Sequence, residues 1–114
     1  MDLEATYTID VNSMKEWATE HRVEERTVAA FWANLRHYVI EEPNECRSYF
    51  DNVDEQAFTV ELSHIGLNLE NWPRCAPIRV VAYVPIVYRR KPLGMFRAVY
   101  SLTGEVVNDF FTLY

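Results

Sequence analysis

The chain has 114 residues, of which 49% are hydrophobic and 25% are charged, and its formal net charge is −6. This composition excludes an intrinsically disordered chain, and the length suits one domain with a core of its own. The longest nearly apolar run, residues 80–88, is far shorter than the ~20 residues of a membrane-spanning helix, so a single domain, residues 1–114, without a membrane span is predicted.

The beginning of the chain, Met1-Asp2-Leu3-Glu4, is acidic where a secretory signal would be basic and then apolar. Cys46 and Cys75 have no partner at the spacing of a metal or redox motif. We interpret each as a buried or incidental thiol, the alternative being a disulfide in an exported chain. On these grounds we expect a cytoplasmic protein.

Residues 3–11 alternate between apolar and polar side chains, which is the period-two pattern of a half-buried strand. Ser13 is followed by Glu16 three residues later, as in the capping box at a helix start. These two patterns predict a strand that leads into a helix.

From Ser13 to Glu42, apolar side chains recur at three- and four-residue intervals, which is typical of an amphipathic helix. The charged Glu24 and Glu25 interrupt this apolar stripe. Either one long helix crosses the gap or two helices meet near Arg22, and we favour a short first helix and a long second one.

Pro43 disfavours helix in the residue before it and should end this segment. Residues 43–55 are rich in charge and predict a loop with room for one helical turn. Residues 58–62 alternate again and predict a strand, although helical spacing is also present there. Residues 66–77, with two X-Pro pairs, predict a connection.

Residues 78–114 predict three antiparallel strands, because long runs of β-branched and aromatic residues are separated by turn residues. The expected turns are Lys91–Gly94 and Thr103–Gly104. Pro85 lies inside the first of these strands and lacks a backbone donor, so the strand should bend there or have its far side unpaired.

Together these elements predict an α+β fold in the order β-α-β-β-β-β. One long or split N-terminal helix would pack on a curved, mainly antiparallel sheet of four to five strands. The helix residues expected to cover the sheet are Phe31, Trp32, Leu35 and Val39. We therefore expect Trp32→Ala to unfold the protein or lower its melting temperature sharply.

The sequence lacks the usual signatures of cofactor and metal chemistry. Its glycines at 66, 94 and 104 are isolated, which excludes a Gly-rich phosphate loop. His21, His37 and His64 have no cysteine or second histidine at ligand spacing. We expect no cofactor, no metal and no catalytic activity.

The least ordinary feature is an acidic segment interleaved with aromatic residues. Residues 1–75 carry 15 acidic and 6 basic side chains, whereas residues 76–114 carry 2 acidic and 5 basic ones. Carboxylates steer the encounter with a basic partner and aromatic side chains anchor it. The candidate interface residues are Tyr38, Glu41, Glu42, Glu45, Tyr49, Asp51, Asp54 and Glu55.

The leading hypothesis is therefore a non-catalytic acidic protein that neutralises a basic partner such as a toxin or nuclease, as an immunity protein, an antitoxin or a phage-type inhibitor does. A solvated acidic loop is the plainer reading of the same residues. The alternative function is a cone-shaped α+β domain that binds or converts a small apolar ligand, with Asp109 as an internal carboxylate.

Arg89-Arg90-Lys91 would form a basic hairpin tip that could contact phosphate. The net charge of −6 makes nucleic-acid binding the weakest of the three hypotheses. Exposed strand edges would allow a homodimer.

Overall fold

The computed structural model describes residues 10–114, where three helices pack on one face of an open, five-stranded antiparallel sheet. The helices are α1 (Val11–Glu20), α2 (Val23–Glu41) and α3 (Pro43–Phe50), and the strands are β1 (Phe58–Thr59), β2 (His64–Leu69), β3 (Ile78–Tyr88), β4 (Lys91–Ser101) and β5 (Val106–Leu113). The predicted α+β class is confirmed. None of these helices is long and apolar enough to cross a bilayer.

Helix α1 begins at Val11, so the predicted capping box at Ser13 is wrong. The carboxylate of Asp10 caps the helix instead, accepting from the backbone N–H groups of Asn12 and Ser13 at 3.0 and 3.4 Å. The Ser13 hydroxyl donates to the same carboxylate at 2.9 Å, and these bonds lower the pKa of Asp10. Because Val11 is helical, the strand predicted over residues 3–11 cannot include it, and residues 3–9 lie outside the described part of the chain.

The helical region is split at Arg22, as favoured from the sequence. Arg22 has φ 53° and ψ 43°, a left-handed conformation that cannot continue a helix. Arg26 holds the break in place, because its guanidinium donates to the carbonyls of His21 and Gly104 at 3.0 and 2.8 Å. These two bonds tie the α1–α2 junction to the turn between β4 and β5.

The core lies between α2 and the facing side of β3 and β4. The central sheet residues on that side are all buried: Val80, Ala82, Val84, Ile86, Tyr88, Phe96, Ala98 and Tyr100. Phe31 and Leu35 of α2 are buried against them, while Trp32 and Val39 are only partly buried. The helix face predicted from the sequence is therefore confirmed, with its centre at Phe31 rather than at Trp32.

Strands β1 and β2 both pair with the same edge of β3, one after the other. Only residues 58 and 59 of the predicted strand 58–62 are in β1, and residues 66–69, predicted as a connection, belong to β2. The Tyr83 carbonyl accepts from the Ser63 backbone N–H at 2.8 Å, so the backbone polar groups of Tyr83 face β2. Pro85, two residues later, turns its backbone toward the same edge of β3. The chain between β1 and β2 does not pair with β3 at this point, so the missing N–H of Pro85 breaks no hydrogen bond of the sheet.

The turn between β3 and β4 is Arg89-Arg90, so the predicted turn over Lys91–Gly94 is wrong. Both arginines have positive φ, 50° and 66°, which matches the two-residue turn that suits the twist of a hairpin. Lys91–Gly94 instead begin β4. The second predicted turn is confirmed, with the Gly104 backbone N–H donating to the Ser101 carbonyl at 2.9 Å.

Candidate functional site

Helix α3 positions the candidate residues, and its presence corrects the loop predicted for residues 43–55. Pro43 stands in the first turn, where its missing N–H costs nothing. Cys46 and Phe50, four residues apart, are 3% and 2% exposed and anchor the helix to the core. The three- and four-residue spacing of Cys46, Tyr49 and Phe50 is the signal that could have predicted this helix.

The junction of α2 and α3 forms an open cleft of about 450 Å³ beside the end of β5, which we call the acidic cleft. Its lining residues are Asn34, His37, Tyr38, Glu41, Glu42, Glu45, Tyr49, Phe111 and Leu113. Five of the eight candidate interface residues are thus brought together. The other four lining residues were not predicted: Phe111 and Leu113 because the position of β5 cannot be seen in a local pattern, and Asn34 and His37 of α2 because they lie outside the charged segment.

The charge of this cleft is negative. Glu41, Glu42 and Glu45 are exposed, and no lysine or arginine lines it. His37 Nε2 lies 3.8 Å from Glu41 Oε1, an exposed contact one helical turn apart. Because same-sign charges that line one cleft add their fields, the cleft attracts cations.

The position of Tyr38 in this cleft changes its acidity. Burial, followed by the nearby charge of Glu45, raises the pKa of Tyr38 to about 12. Its hydroxyl oxygen is buried and has no hydrogen-bond partner within residues 10–114. An unpaired buried hydroxyl is energetically costly, and the nearby Glu45 carboxylate, whose charge and hydrogen bonding contribute to the raised pKa of Tyr38, is the acceptor best placed to satisfy it.

The other three candidate residues lie outside the acidic cleft and have local partners or neighbours. The Asp54 carboxylate accepts from the Gln56 backbone N–H at 3.1 Å and caps the short helical turn Glu55–Ala57. Glu55 pairs with Arg36 at 2.9 Å. Asp51 follows α3 with a positive φ of 60°, on the side of the basic hairpin.

The basic hairpin tip contains the exposed Arg89, Arg90 and Lys91. Arg47 of α3 and Asp51 line a second cleft with Arg89 and Lys91, of about 430 Å³. The Arg89 guanidinium carbon lies 5.2 Å from the centre of the Tyr88 ring. A carboxylate among these cations weakens their field, so the cleft is less suited to phosphate than the sequence alone suggested.

Aromatic rings fill the space between α2 and the sheet. The ring of Phe31 has its centre 5.8 Å from that of Phe58, 6.0 Å from that of Phe96 and 5.9 Å from that of Phe111. Asp109 lies at the margin of this interior, half-buried, where the Asn34 side chain donates to it at 3.4 Å. The filled interior leaves little room for a small ligand at that point.

A serine–histidine contact lies at the start of β2, where the Ser63 hydroxyl oxygen is 2.8 Å from His64 Nδ1. Within residues 10–114, no three side chains of the His, Cys, Asp or Glu type are placed to hold one metal ion. Cys46 and Cys75 are free thiols, and burial raises the pKa of the Cys46 thiol. A larger open cleft of about 600 Å³ runs between α1 and the start of β2, but no histidine or cysteine lines it.

Comparisons with models of protein families, with curated proteins and with solved structures found no match to this chain.

Proposed function

We propose that this protein is a non-catalytic acidic binding protein whose acidic cleft receives a basic segment of a partner protein, in the manner of an immunity protein, an antitoxin or a phage-type inhibitor. The observation that carries the proposal is the grouping of Glu41, Glu42 and Glu45 with Tyr38 and Tyr49 around one cleft. In the sequence these five residues belong to a charged segment that would be fully solvated in an extended loop. In the folded protein they line one concave surface.

A lysine or arginine side chain of the partner fits this cleft chemically. Glu42 and Glu45 make no ion pair within residues 10–114, so both carboxylates can accept from an incoming cation. An arginine can bond to a carboxylate through two parallel N–H groups, and its flat guanidinium packs on an aromatic ring such as that of Tyr49.

The filled interior around Asp109 favours this binding-surface function over an internal carboxylate site for a small ligand. An apolar ligand would instead have to use the open clefts beside α1, which contain no part of the candidate interface. We further propose that binding takes place in the cytoplasm, since Cys46 is a buried free thiol and Cys75 is also unpaired.

The proposal is tested with a short arginine-rich peptide as the probe and an isotope-labelled protein observed by NMR. The triple variant Glu41→Gln, Glu42→Gln, Glu45→Gln is compared with the native protein. The matched control, Glu16→Gln, Glu20→Gln, Glu24→Gln, removes the same charge from exposed positions around α1. We expect the peptide to shift signals of Tyr38 and Tyr49 and to bind at least about tenfold more weakly to the cleft variant, a loss of roughly 1.4 kcal/mol.

Binding should also weaken as salt is raised, because the attraction is between exposed charges. Equal loss of affinity in both triple variants would mean that only net charge matters and would overturn the cleft as the site. The same would follow from signal shifts that map to the basic hairpin or are spread over the whole surface. A partner protein captured from cells should likewise bind more weakly to the cleft variant than to the control variant.

A further inference from the structure

The face of the sheet that points away from the helices, here called the outer face, has no covering layer among the described elements. All three helices pack on the opposite face. Alternation along the strands places these side chains on the outer face: Val81, Tyr83, Pro85 and Val87 of β3, Met95, Arg97 and Val99 of β4, and Phe110 of β5. Val81 is only 3% exposed yet lies outside the core cluster, which shows how closely its neighbours on this face pack.

The centre of this face is apolar and its margins are polar, because the same register places His64 and Asn68 of β2, Arg79, Ser101, Asn108 and Thr112 around it. Its central charged residue is Arg97, whose guanidinium carbon lies 4.7 Å from the centre of the Phe110 ring. The Tyr83 ring stacks on His64 of β2 with their centres 4.0 Å apart. A partly exposed apolar centre within a polar margin, with Phe110 40% exposed, is the arrangement found in the core and rim of protein interfaces.

The size of the outer face matches the contact area of a stable dimer. β3 and β4 each have 11 residues, which extend over about 36 Å at about 3.3 Å per residue. Four strands side by side at a spacing of about 4.8 Å give a width of about 19 Å. Because the two outer strands, β2 and β5, are shorter than β3 and β4, the area of one face is about 600 Å². Two such faces would bury about 1,200 Å², the lower end of the range for specific, stable interfaces.

We infer that the outer face is the interface between two copies of this chain, stacked sheet on sheet. The two-fold axis would run along the strands, midway between β3 and β4. Such an axis places each outer-face residue of β3 opposite its register partner from β4 of the second copy. Stacked sheets of this kind lie about 10 Å apart and cross at about 30°, so the pairing is closest at the centre.

The register of β3 and β4 makes this arrangement self-complementary. Tyr83 pairs with Arg97, so in the dimer Arg97 would meet the Tyr83 ring of the second copy, a favourable cation–aromatic contact. Pro85 pairs with Met95, which places these two apolar side chains opposite one another. No arginine would face an arginine, and this is why a second copy suits the face despite its positive charge.

The acidic cleft lies on the helical side of the molecule, so the dimer would leave both copies of it open. The inference is thus independent of the proposed function. Its first test is sedimentation equilibrium over a series of protein concentrations. We expect the native protein to reach twice the 13.4 kDa of one chain.

Met95→Glu should weaken the dimer at least tenfold, because it buries an unpaired carboxylate in the contact. The matched control is Ile40→Glu, an identical charge change at a 76% exposed residue of α2. It should sediment as the native protein does. A native protein that stays monomeric, or a dimer that Met95→Glu does not weaken relative to Ile40→Glu, would overturn the inference.

Cross-linking keeps the inference testable even if Met95→Glu does not fold. In a Cys75→Ser background, protein with Pro85→Cys is mixed with protein carrying Met95→Cys and treated with a short bismaleimide, because sheets about 10 Å apart are too distant for a direct disulfide. The mixture should form a cross-linked dimer, whereas each protein alone should form far less. Equal cross-linking in the separate proteins, or none in the mixture, would refute the proposed axis.

Discussion

The hydroxyl groups of Thr27 and Tyr100 lie 2.8 Å apart in the core, and neither side chain is exposed. Thr27 belongs to α2 and Tyr100 to β4, so this hydrogen bond joins the helical layer to the sheet. The guanidinium carbon of Arg26 lies 5.1 Å from the centre of the Tyr100 ring and covers it from the side of α2. Two buried hydroxyls in an apolar core depend on each other, because water cannot replace either partner.

We therefore expect Thr27→Val and Tyr100→Phe each to lower the free energy of unfolding by about 1–3 kcal/mol, since each leaves the other hydroxyl buried and unpaired. The double variant should lose less than the sum of the two single losses. Urea denaturation of the four proteins measures this coupling. Strictly additive losses would show that the two hydroxyls are not bonded to each other.

Phe31 and Trp32 are neighbours in sequence but differ in their contribution to stability. Phe31 is fully buried and packs against rings from β1, β4 and β5, whereas Trp32 is only partly buried and contacts Phe31 and Phe58 from the margin. Truncating a fully buried aromatic side chain costs about 3–5 kcal/mol. We expect Phe31→Ala to approach this loss and Trp32→Ala to fall clearly below it.

Thermal and urea denaturation compare these two variants, with Ile40→Ala as the control. Ile40 is 76% exposed on the same helix, so its truncation should change the free energy of unfolding by less than about 0.5 kcal/mol. A larger loss for Trp32→Ala than for Phe31→Ala would place the centre of the helix–sheet contact where the sequence pattern first suggested.

The sequence predicted those features of the fold that depend on local periodicity. The amphipathic stripe of α2, the break near Arg22 and the alternation of β3 are all visible within a few residues, and each is confirmed. Local periodicity does not identify the helix cap at Asp10 or the hairpin turn at Arg89-Arg90. Several nearby residues can cap a helix or form a turn, and the choice among them depends on how the elements pack.

The acidic cleft shows the same limit at the level of the site. Tyr38, Glu41 and Glu45 belong to one charged segment of the sequence, and the junction of α2 and α3 brings them around a single concavity. Asp54 and Glu55 satisfied the same pattern, but one caps a turn and the other pairs with Arg36. Charge and aromatic content predict a surface, whereas the helix junction decides which residues share it.

Gly94 is required by the close approach of β5 rather than by a turn. It lies inside β4 opposite Leu113, and a Cβ atom built on it would collide with the backbone oxygen of Thr112. We expect Gly94→Ala to lower the melting temperature strongly, because the backbone of β5 would have to move and its pairing with β4 would be lost. At Gly66, by contrast, an added Cβ would meet only the Tyr83 ring at an ordinary 3.6 Å.

Gly66→Ala is therefore the matched control, and its melting temperature should stay close to that of the native protein. Differential scanning calorimetry of both variants measures the contrast. Similar melting temperatures for the two variants would mean that β5 does not approach β4 as closely as the structure shows.

Tyr38 links the acidic cleft to stability at alkaline pH. Its pKa is raised from 10.0 to about 12, mainly by burial and then by the charge of Glu45. The folded protein therefore holds this proton more tightly than the unfolded chain does. The contribution to stability is fully present below pH 10 and is lost as the pH rises towards 12.

We expect the absorbance titration of the phenols to contain a component with a pKa of about 12 that is lost in Tyr38→Phe. The variant should also lose less stability than the native protein between about pH 10 and 12, because it lacks the contribution of the Tyr38 phenol. Glu45→Gln should lower the pKa of Tyr38 without returning it to 10.0, since burial is the larger cause and remains. If Glu45→Gln left the titration unchanged, the Glu45 carboxylate would not face the Tyr38 hydroxyl, and the acidic cleft would lack the geometry that the binding proposal requires.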